Sequence, residues 1–156
     1  PPPSPRPILL VSSVWFHRTS TILEATLSLP FSVRPSNFST NSSYHTHIPP
    51  PSQFELLIPE QLADGIRVLI YAGDQDYICN WLGNQAWVRA LDWAGKADFN
   101  AAPTKNWTLA SGEAAGTLQS NGALSFLRVF DAGHMVPRDQ PVAAVEMLNA
   151  FIGGKI

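Results

Sequence analysis

The feature that most constrains the fold is the run Ile66-Arg-Val-Leu-Ile-Tyr-Ala72, apolar apart from Arg67 and ended by Gly73-Asp-Gln-Asp76. A short run dense in Ile, Val and Leu and bounded by turn residues is the pattern of a strand buried on both faces. Such strands belong to parallel sheets covered by helices on either side. A second run, residues 123–130, stops in the same way at Asp131-Ala-Gly-His134, about sixty residues after the first. Each run ends near a glycine and then delivers a group able to do acid–base chemistry, first Asp76 and later His134.

The neighbouring residues supply the order helix, strand, helix, short strand, strand, helix. Residues 54–63 predict a short amphipathic helix with Leu56, Leu57 and Leu62 as apolar positions, interrupted by Pro59, and Asp64-Gly65 provides the turn. Residues 80–93 predict a helix, because Trp81, Ala86, Trp87, Ala90, Leu91 and Ala94 recur at three- and four-residue spacing. Asn80 suits its N-cap and Gly95 its end. The tryptophans read as core or pocket wall rather than as a cofactor site. A loop through Pro103 leads to a short strand at 107–109, and the Gly- and Ser-rich stretch 111–122 reads as a turn region. Residues 141–152 predict the last helix, with Pro141 in its first turn and Gly153-Gly154 as the stop. Strand followed by helix, twice, argues for a parallel α/β sheet rather than an antiparallel domain.

Residues 1–53 differ in kind. They hold 10 of the 14 prolines, and Arg6, Arg18, Glu24 and Arg34 are their only charged residues. Proline blocks regular helix and Ser/Thr/Asn clusters favour turns, so this segment reads as linker or disorder, with the ordered domain at 54–156. Residues 22–29 have the makings of a helical turn or two, closed by Pro30, and Leu27, Leu29, Phe31 and Val33 alternate as a strand would. Residues 8–16 follow Arg6 in the manner of a signal peptide, but Ser12 and Ser13 break the run and no small-x-small site follows. His45 and His47 would face one way on a strand, yet no third ligand is near and proline follows, so they read as solvated histidines. The chain starts at Pro1 without methionine, which points to a fragment, a processed form or a faulty gene model.

Composition removes several function classes. A net charge of −2 and a pI near 6.1 leave no basic footprint for nucleic acid. No apolar run reaches the about 18 residues of a membrane-spanning helix. Cys79 is the single cysteine, so no disulfide can form within the chain. Asn37, Asn41 and Asn106 begin glycosylation sequons, which matter only in the secretory pathway.

In parallel α/β sheets the functional groups lie just past the carboxyl ends of the strands, where Asp76 and His134 both fall. A carboxylate followed by an imidazole in that order matches the second and third members of a Ser…Asp…His arrangement. There the histidine accepts a proton from a weak nucleophile, and the carboxylate fixes its tautomer and stabilises the imidazolium. A structural aspartate at a turn and a hydrogen-bonded histidine would leave the same trace at this level.

The wording of the two stretches goes further. Val68-Leu-Ile-Tyr-Ala-Gly-Asp-Gln-Asp-Tyr-Ile-Cys-Asn-Trp-Leu-Gly-Asn84 resembles the segment that carries the catalytic aspartate of the serine carboxypeptidases. Phe126-Leu-Arg-Val-Phe-Asp-Ala-Gly-His-Met-Val-Pro-Arg-Asp-Gln-Pro141 resembles the segment that carries their catalytic histidine. The likeness is closest to the carboxypeptidase Y branch and covers roughly residue 54 to the C-terminus. It implies the C-terminal portion of an α/β-hydrolase sheet, with parallel strands and flanking helices. It implies Asp76, not Asp74, as the partner of His134, Cys79 as a thiol near the active site, and Met135 as lining of the leaving-group pocket. Ordinary core packing is the alternative reading of the last two. Asn106 matches a position where related enzymes carry a glycan. The implied substrates are peptide C-termini, the implied location is vacuolar or secreted, and neither a cofactor nor a metal is implied.

The same likeness shows what the chain does not carry. The family's nucleophile sits on a Gly-x-Ser-x-Gly elbow upstream of the aspartate, and no such pattern occurs in the 156 residues. Gly112-Glu-Ala-Ala-Gly116 has the glycine spacing, but Ala114 stands at the nucleophile position and the motif falls after Asp76. The oxyanion-hole glycines and the residues that grip a substrate's terminal carboxylate find no match in 1–53 either. The chain by itself is therefore expected to be inactive. Parallel strands lacking neighbours are also expected to leave it marginally stable.

Overall fold

The computed structural model of the chain describes residues 8–12 and 57–156. The helical turn at 22–29, the alternation from Leu27 to Val33, His45 and His47, the sequons at Asn37 and Asn41, and the start of the helix at 54–56 lie outside the described residues.

Strands β1 (Ile8–Ser12), β2 (Arg67–Gly73), β3 (Lys105–Thr108), β4 (Ala114–Asn121) and β5 (Leu124–Val129) form one sheet in the order β1-β2-β5-β4-β3. Strand β2 is parallel to both β1 and β5, whereas β4 is antiparallel to β5 and to β3. The helices are α1 (Ile58–Ala63), α2 (Trp81–Ala90), α3 (Lys96–Ala101), α4 (Val136–Asp139) and α5 (Pro141–Ile152).

The double burial expected of β2 is what organises the layers. Leu69 and Tyr71 point to one face, into a core with Leu127, Val129, Met147 and Phe151. Val68 and Ile70 point to the other, into a core with Ile58, Leu62, Trp87, Val88, Phe99 and Phe126. Helix α5 therefore covers one face and α1, α2 and α3 cover the other, a two-sided arrangement that only continuously apolar strands can support.

Arg67, the one charge in β2, reaches the end of α5. Its guanidinium donates to the carbonyls of Phe151, Ile152 and Ile156 and lies 4.8 Å from the centre of the Phe151 ring. A cation there meets carbonyls at and just beyond the end of the helix and offsets the negative end of its dipole. Arg67→Met should lower stability by about 2 kcal/mol, read from the urea midpoint, with Arg67→Lys intermediate.

The sheet is mixed rather than wholly parallel, because the stretch 111–122 is mostly strand. Its Ala, Gly, Thr, Ser and Gln have little strand preference of their own, but β4 is paired along both edges, and such context outweighs propensity. Two local signals were present: Asn121-Gly122, with Gly122 at φ +59°, forms the tight connection to β5, and Gly112 at φ +88° makes the preceding turn. Gln119 is buried in the middle of β4. Its Nε2 donates to the carbonyls of Phe99 (2.8 Å) and Ala102 (3.1 Å), and its Oε1 accepts from the Arg89 guanidinium at 3.1 Å. One amide thus ties α2 and α3 to the sheet.

Several elements also differ from expectation, among them β3, which spans Lys105–Thr108 rather than 107–109. The helix expected over 80–93 stops at Ala90, because Leu91 turns extended at ψ 135°; Gly95 precedes α3 instead of ending α2. Pro59 starts α1 rather than interrupting it, and the buried positions are Ile58 and Leu62, with Leu57 39% exposed. Within the proline-rich segment read as linker or disorder, Ile8–Ser12 is a strand, because β2 offers an edge with which it can pair. The last helix has its expected bounds.

Candidate active site

Two loops at the carboxyl ends of adjacent parallel strands form the site. The first leaves β2 at Gly73. The amide of Asp74 donates to the carbonyl of Val129 and that of Gln75 to the carbonyl of Ala132, both at 2.9 Å, so the two loops are joined backbone to backbone. Such closeness requires a glycine: a Cβ on residue 73 would lie 2.2 Å from the Ala132 oxygen and 2.4 Å from the Gly133 oxygen. The side chains reinforce the join. Gln75 Nε2 donates to Asp131 Oδ1 at 3.1 Å, and Asp131 holds the left-handed φ of 52° that turns the chain out of β5.

Asp74 and Asp76 have separate duties. Asp74 pairs with Arg128 at 3.1 Å, and that guanidinium lies 4.2 Å from the Trp81 ring centre and 5.1 Å from that of Phe130. This is a brace between β5 and the start of α2. Asp76 is only 6% exposed. Its Oδ1 accepts from the amides of Ile78 (3.1 Å) and Cys79 (2.9 Å), and its Oδ2 lies 2.8 Å from His134 Nδ1. The carboxylate is thus held on one oxygen and presents the other to the imidazole. A carboxylate only accepts, so Nδ1 carries the proton and Nε2 is left with its lone pair.

The histidine loop is fixed from its far side. Gly133 N donates to Asp139 Oδ2 at 2.8 Å, and the carbonyl of Met135 accepts from the amides of Arg138 and Asp139 to begin α4. The His134 side chain remains 59% exposed. An imidazole anchored at Nδ1 and open on its remaining surface can take a proton at Nε2 from a group brought against it, with Asp76 stabilising the resulting charge.

Asn84, which carried no weight in the sequence beyond its place in the quoted stretch, is buried beneath this turn. Its Nδ2 donates to the carbonyls of Cys79 (2.9 Å) and Asn80 (3.0 Å), and its Oδ1 accepts from Trp87 Nε1 at 3.1 Å. Since the Cys79 amide holds Asp76, Asn84 secures that support from the next peptide group. Asn80 is the N-cap as expected, accepting from Gly83 N at 2.8 Å.

Cys79 is buried, and its sulfur, an Asp76 oxygen and a His134 nitrogen lie within 4.8 Å of one another. Burial pushes the thiol pKa above its ordinary 9.0, and the neighbouring Asp76 carboxylate pushes it further up. A metal would require the thiolate and would compete with Nδ1 for Asp76, so these donors suit a closed hydrogen-bonded site better than a metal centre. The native state favours the protonated thiol. The associated stability is complete below the unfolded pKa and is lost as pH rises through the raised native value. Iodoacetamide at pH 8 should therefore modify Cys79 at least about 10-fold more slowly in the native chain than in urea, and stability should fall above about pH 9.

Of the remaining sequence candidates, Met135 stands beside His134 with 57% exposure. Asn106 is exposed on β3, two strands away from β5, and is not brought to the site.

A helix-covered mixed sheet, with an acid and a histidine on the carboxyl-end loops of its adjacent parallel strands β2 and β5, is the C-terminal part of an α/β-hydrolase fold. The chain matches the serine carboxypeptidase family over residues 32–154 and belongs to it. The match begins upstream of residue 54, where the motif likeness began. Carboxypeptidase Y homolog A of Botryotinia fuckeliana (strain B05.10) is 52% identical over 116 residues, covering 74% of this chain and 21% of that protein. Serine carboxypeptidase 3 of Triticum aestivum is 56% identical over 102 residues, covering 65% and 20%. Among solved structures, a prohormone-processing carboxypeptidase from Saccharomyces cerevisiae superposes with a TM-score of 0.57 at 29% identity, covering 65% of this chain and 22% of that one. The chain thus spans about a fifth of the length of these relatives.

Proposed function

We propose that this chain is the Asp- and His-bearing segment of a serine-type carboxypeptidase, which releases C-terminal amino acids from peptides through an acyl-enzyme. The observation that carries the proposal is the 2.8 Å contact between His134 Nδ1 and a buried, doubly supported Asp76, in a chain that belongs to the serine carboxypeptidases. In that reaction His134 Nε2 takes the proton of a serine hydroxyl as the oxygen attacks the last peptide carbonyl. The same proton then passes to the departing amino acid as the carbon–nitrogen bond breaks. Water, deprotonated by the same nitrogen, attacks the acyl carbon, and the proton passes to the serine oxygen as the shortened peptide leaves. Asp76 holds the ring in one tautomer throughout and stays ionised. Met135, exposed beside His134, lines the space for the departing residue, and Cys79 lies buried next to Asp76 at the edge of the site.

The serine must come from outside these 156 residues, since no Gly-x-Ser-x-Gly occurs in them. The same observation favours a second reading, a catalytically inactive family member. A chimera decides between the two. Residues 57–156 replace the matching segment of the Botryotinia fuckeliana relative, and amino-acid release from a blocked dipeptide is measured. The chimera should hydrolyse the dipeptide and the chain alone should not. A folded but inactive chimera would remove the first reading, and release by the chain alone would remove the requirement for an outside serine. By family, a vacuolar or secretory location is proposed. Asn106, exposed and remote from His134, is proposed to carry a glycan there.

A further inference from the structure

Strand β1 lies outside the family match, which begins at residue 32, yet it is the direct neighbour of the strand that carries Asp76. We propose that Ile8–Ser12 is this chain's own edge strand, standing on β2 in place of a strand that the longer family members supply from elsewhere in their length. The outer edge of β2 is in this view a docking surface for a parallel strand, and its occupant is the chain's N-terminal segment.

Four observations converge on this. Val68, Leu69, Ile70 and Ala72 are fully buried, so β2 with a bare edge would place unpaired backbone groups beside two apolar cores. The pairing is unbroken and in register from Ile8 opposite Arg67 to Ser12 opposite Tyr71. Leu9 and Val11 pack against the core that contains Val68, Ile70 and Trp87, while Leu10, on the alternate face, is 37% exposed. That alternation suits a strand covered on one face only. Finally, the opposite border of the sheet is the antiparallel pair β4 and β3, so the parallel part can extend only beyond β2. A further parallel strand would therefore stand on the side where β1 stands. Ile8–Ser12 competes with such a strand for β2 and screens that edge from a second chain.

Hydrogen exchange reads the arrangement amide by amide. Val68 N donates to the Ala123 carbonyl on the β5 side. In a parallel strand successive residues direct their backbone groups to opposite neighbours, so the amides of Leu69 and Tyr71 face β1. In the intact 156-residue chain, Leu69 and Tyr71 should be protected to the same order as Val68 and Ile70. In a Leu9→Asp/Val11→Asp variant, Leu69 and Tyr71 should lose about 100-fold in protection while Val68 and Ile70 keep theirs. The variant should also associate through its bared edge in light scattering, whereas the intact chain should stay monomeric. Leu10→Asp, on the more exposed face, should change neither readout. If the aspartate pair unfolds the sheet, a Leu9→Ala/Val11→Ala pair reads the same difference. Rapid exchange of Leu69 and Tyr71 in the intact chain, or protection unchanged in the variants, overturns the proposal. Neither result bears on the family's chemistry, which the chimera tests separately.

Discussion

Asp76→Asn in the chimeric enzyme is expected to lower kcat about 10⁴-fold with the fold intact, because the substitution leaves the wrong nitrogen of His134 protonated. The surroundings of Asp76 dictate this outcome. Oδ1 accepts from two backbone amides, those of Ile78 and Cys79. An asparagine must place its oxygen there, since the opposite orientation would set its NH₂ against two donors. The NH₂ is then turned toward His134 Nδ1, which must accept. The ring proton moves to Nε2, the atom that has to take a proton from the serine. KM should change little, since Asp76 is buried. Loss of the strongly deshielded Nδ1 proton of His134 from the NMR spectrum should accompany the loss of rate. A decrease of less than about ten-fold would show that the ring is held by something other than Asp76.

Gly73→Ala is expected to be strongly destabilising although it adds only a methyl group. The new carbon would lie 2.2 Å from one carbonyl oxygen and 2.4 Å from another, both in the backbone of the loop that carries His134. Neither can move aside as a flexible side chain would. The loops must separate, breaking the bonds from Asp74 N to Val129 and from Gln75 N to Ala132 and drawing Asp76 away from His134. Overpacking of this kind costs about 3 kcal/mol, a large part of the stability of a small domain. Urea denaturation measures the loss. Gly83→Ala is the control: it sits in α2 with only ordinary contact to Asn80 at 3.4 Å, and should be neutral or stabilise by about 0.5–1 kcal/mol. Equal behaviour of the two variants would refute the close-approach argument.

How far the sequence could be read depended on whether the signal was local. Strand β2 announced itself because both faces are buried and nearly every residue is apolar; α5 did so through Pro141 and Gly153-Gly154. Strand β4 was hidden because its residues are small and polar, and its stability comes from neighbours on both edges. Helix α3 was hidden by its shortness, and β1 by the prolines around it, although five residues suffice once an edge is waiting. In the site, Asp76 and His134 were visible from their positions after strands and from motif wording. Asn84 and Gly73 were not singled out, because their importance lies in what approaches them from residues distant in space or sequence.

By itself, then, the sequence determined the class of sheet, the acid and the histidine, and the kinship with serine carboxypeptidases, since each is written in a contiguous stretch. Only the tertiary structure decided that Asp74 pairs with Arg128, that Nδ1 is the nitrogen of His134 engaged by Asp76, and that the sheet turns antiparallel beyond β5. The first two depend on distances between residues more than fifty positions apart. Such distances are set by how two apolar faces of one strand are covered at once, and no contiguous stretch of the sequence records them.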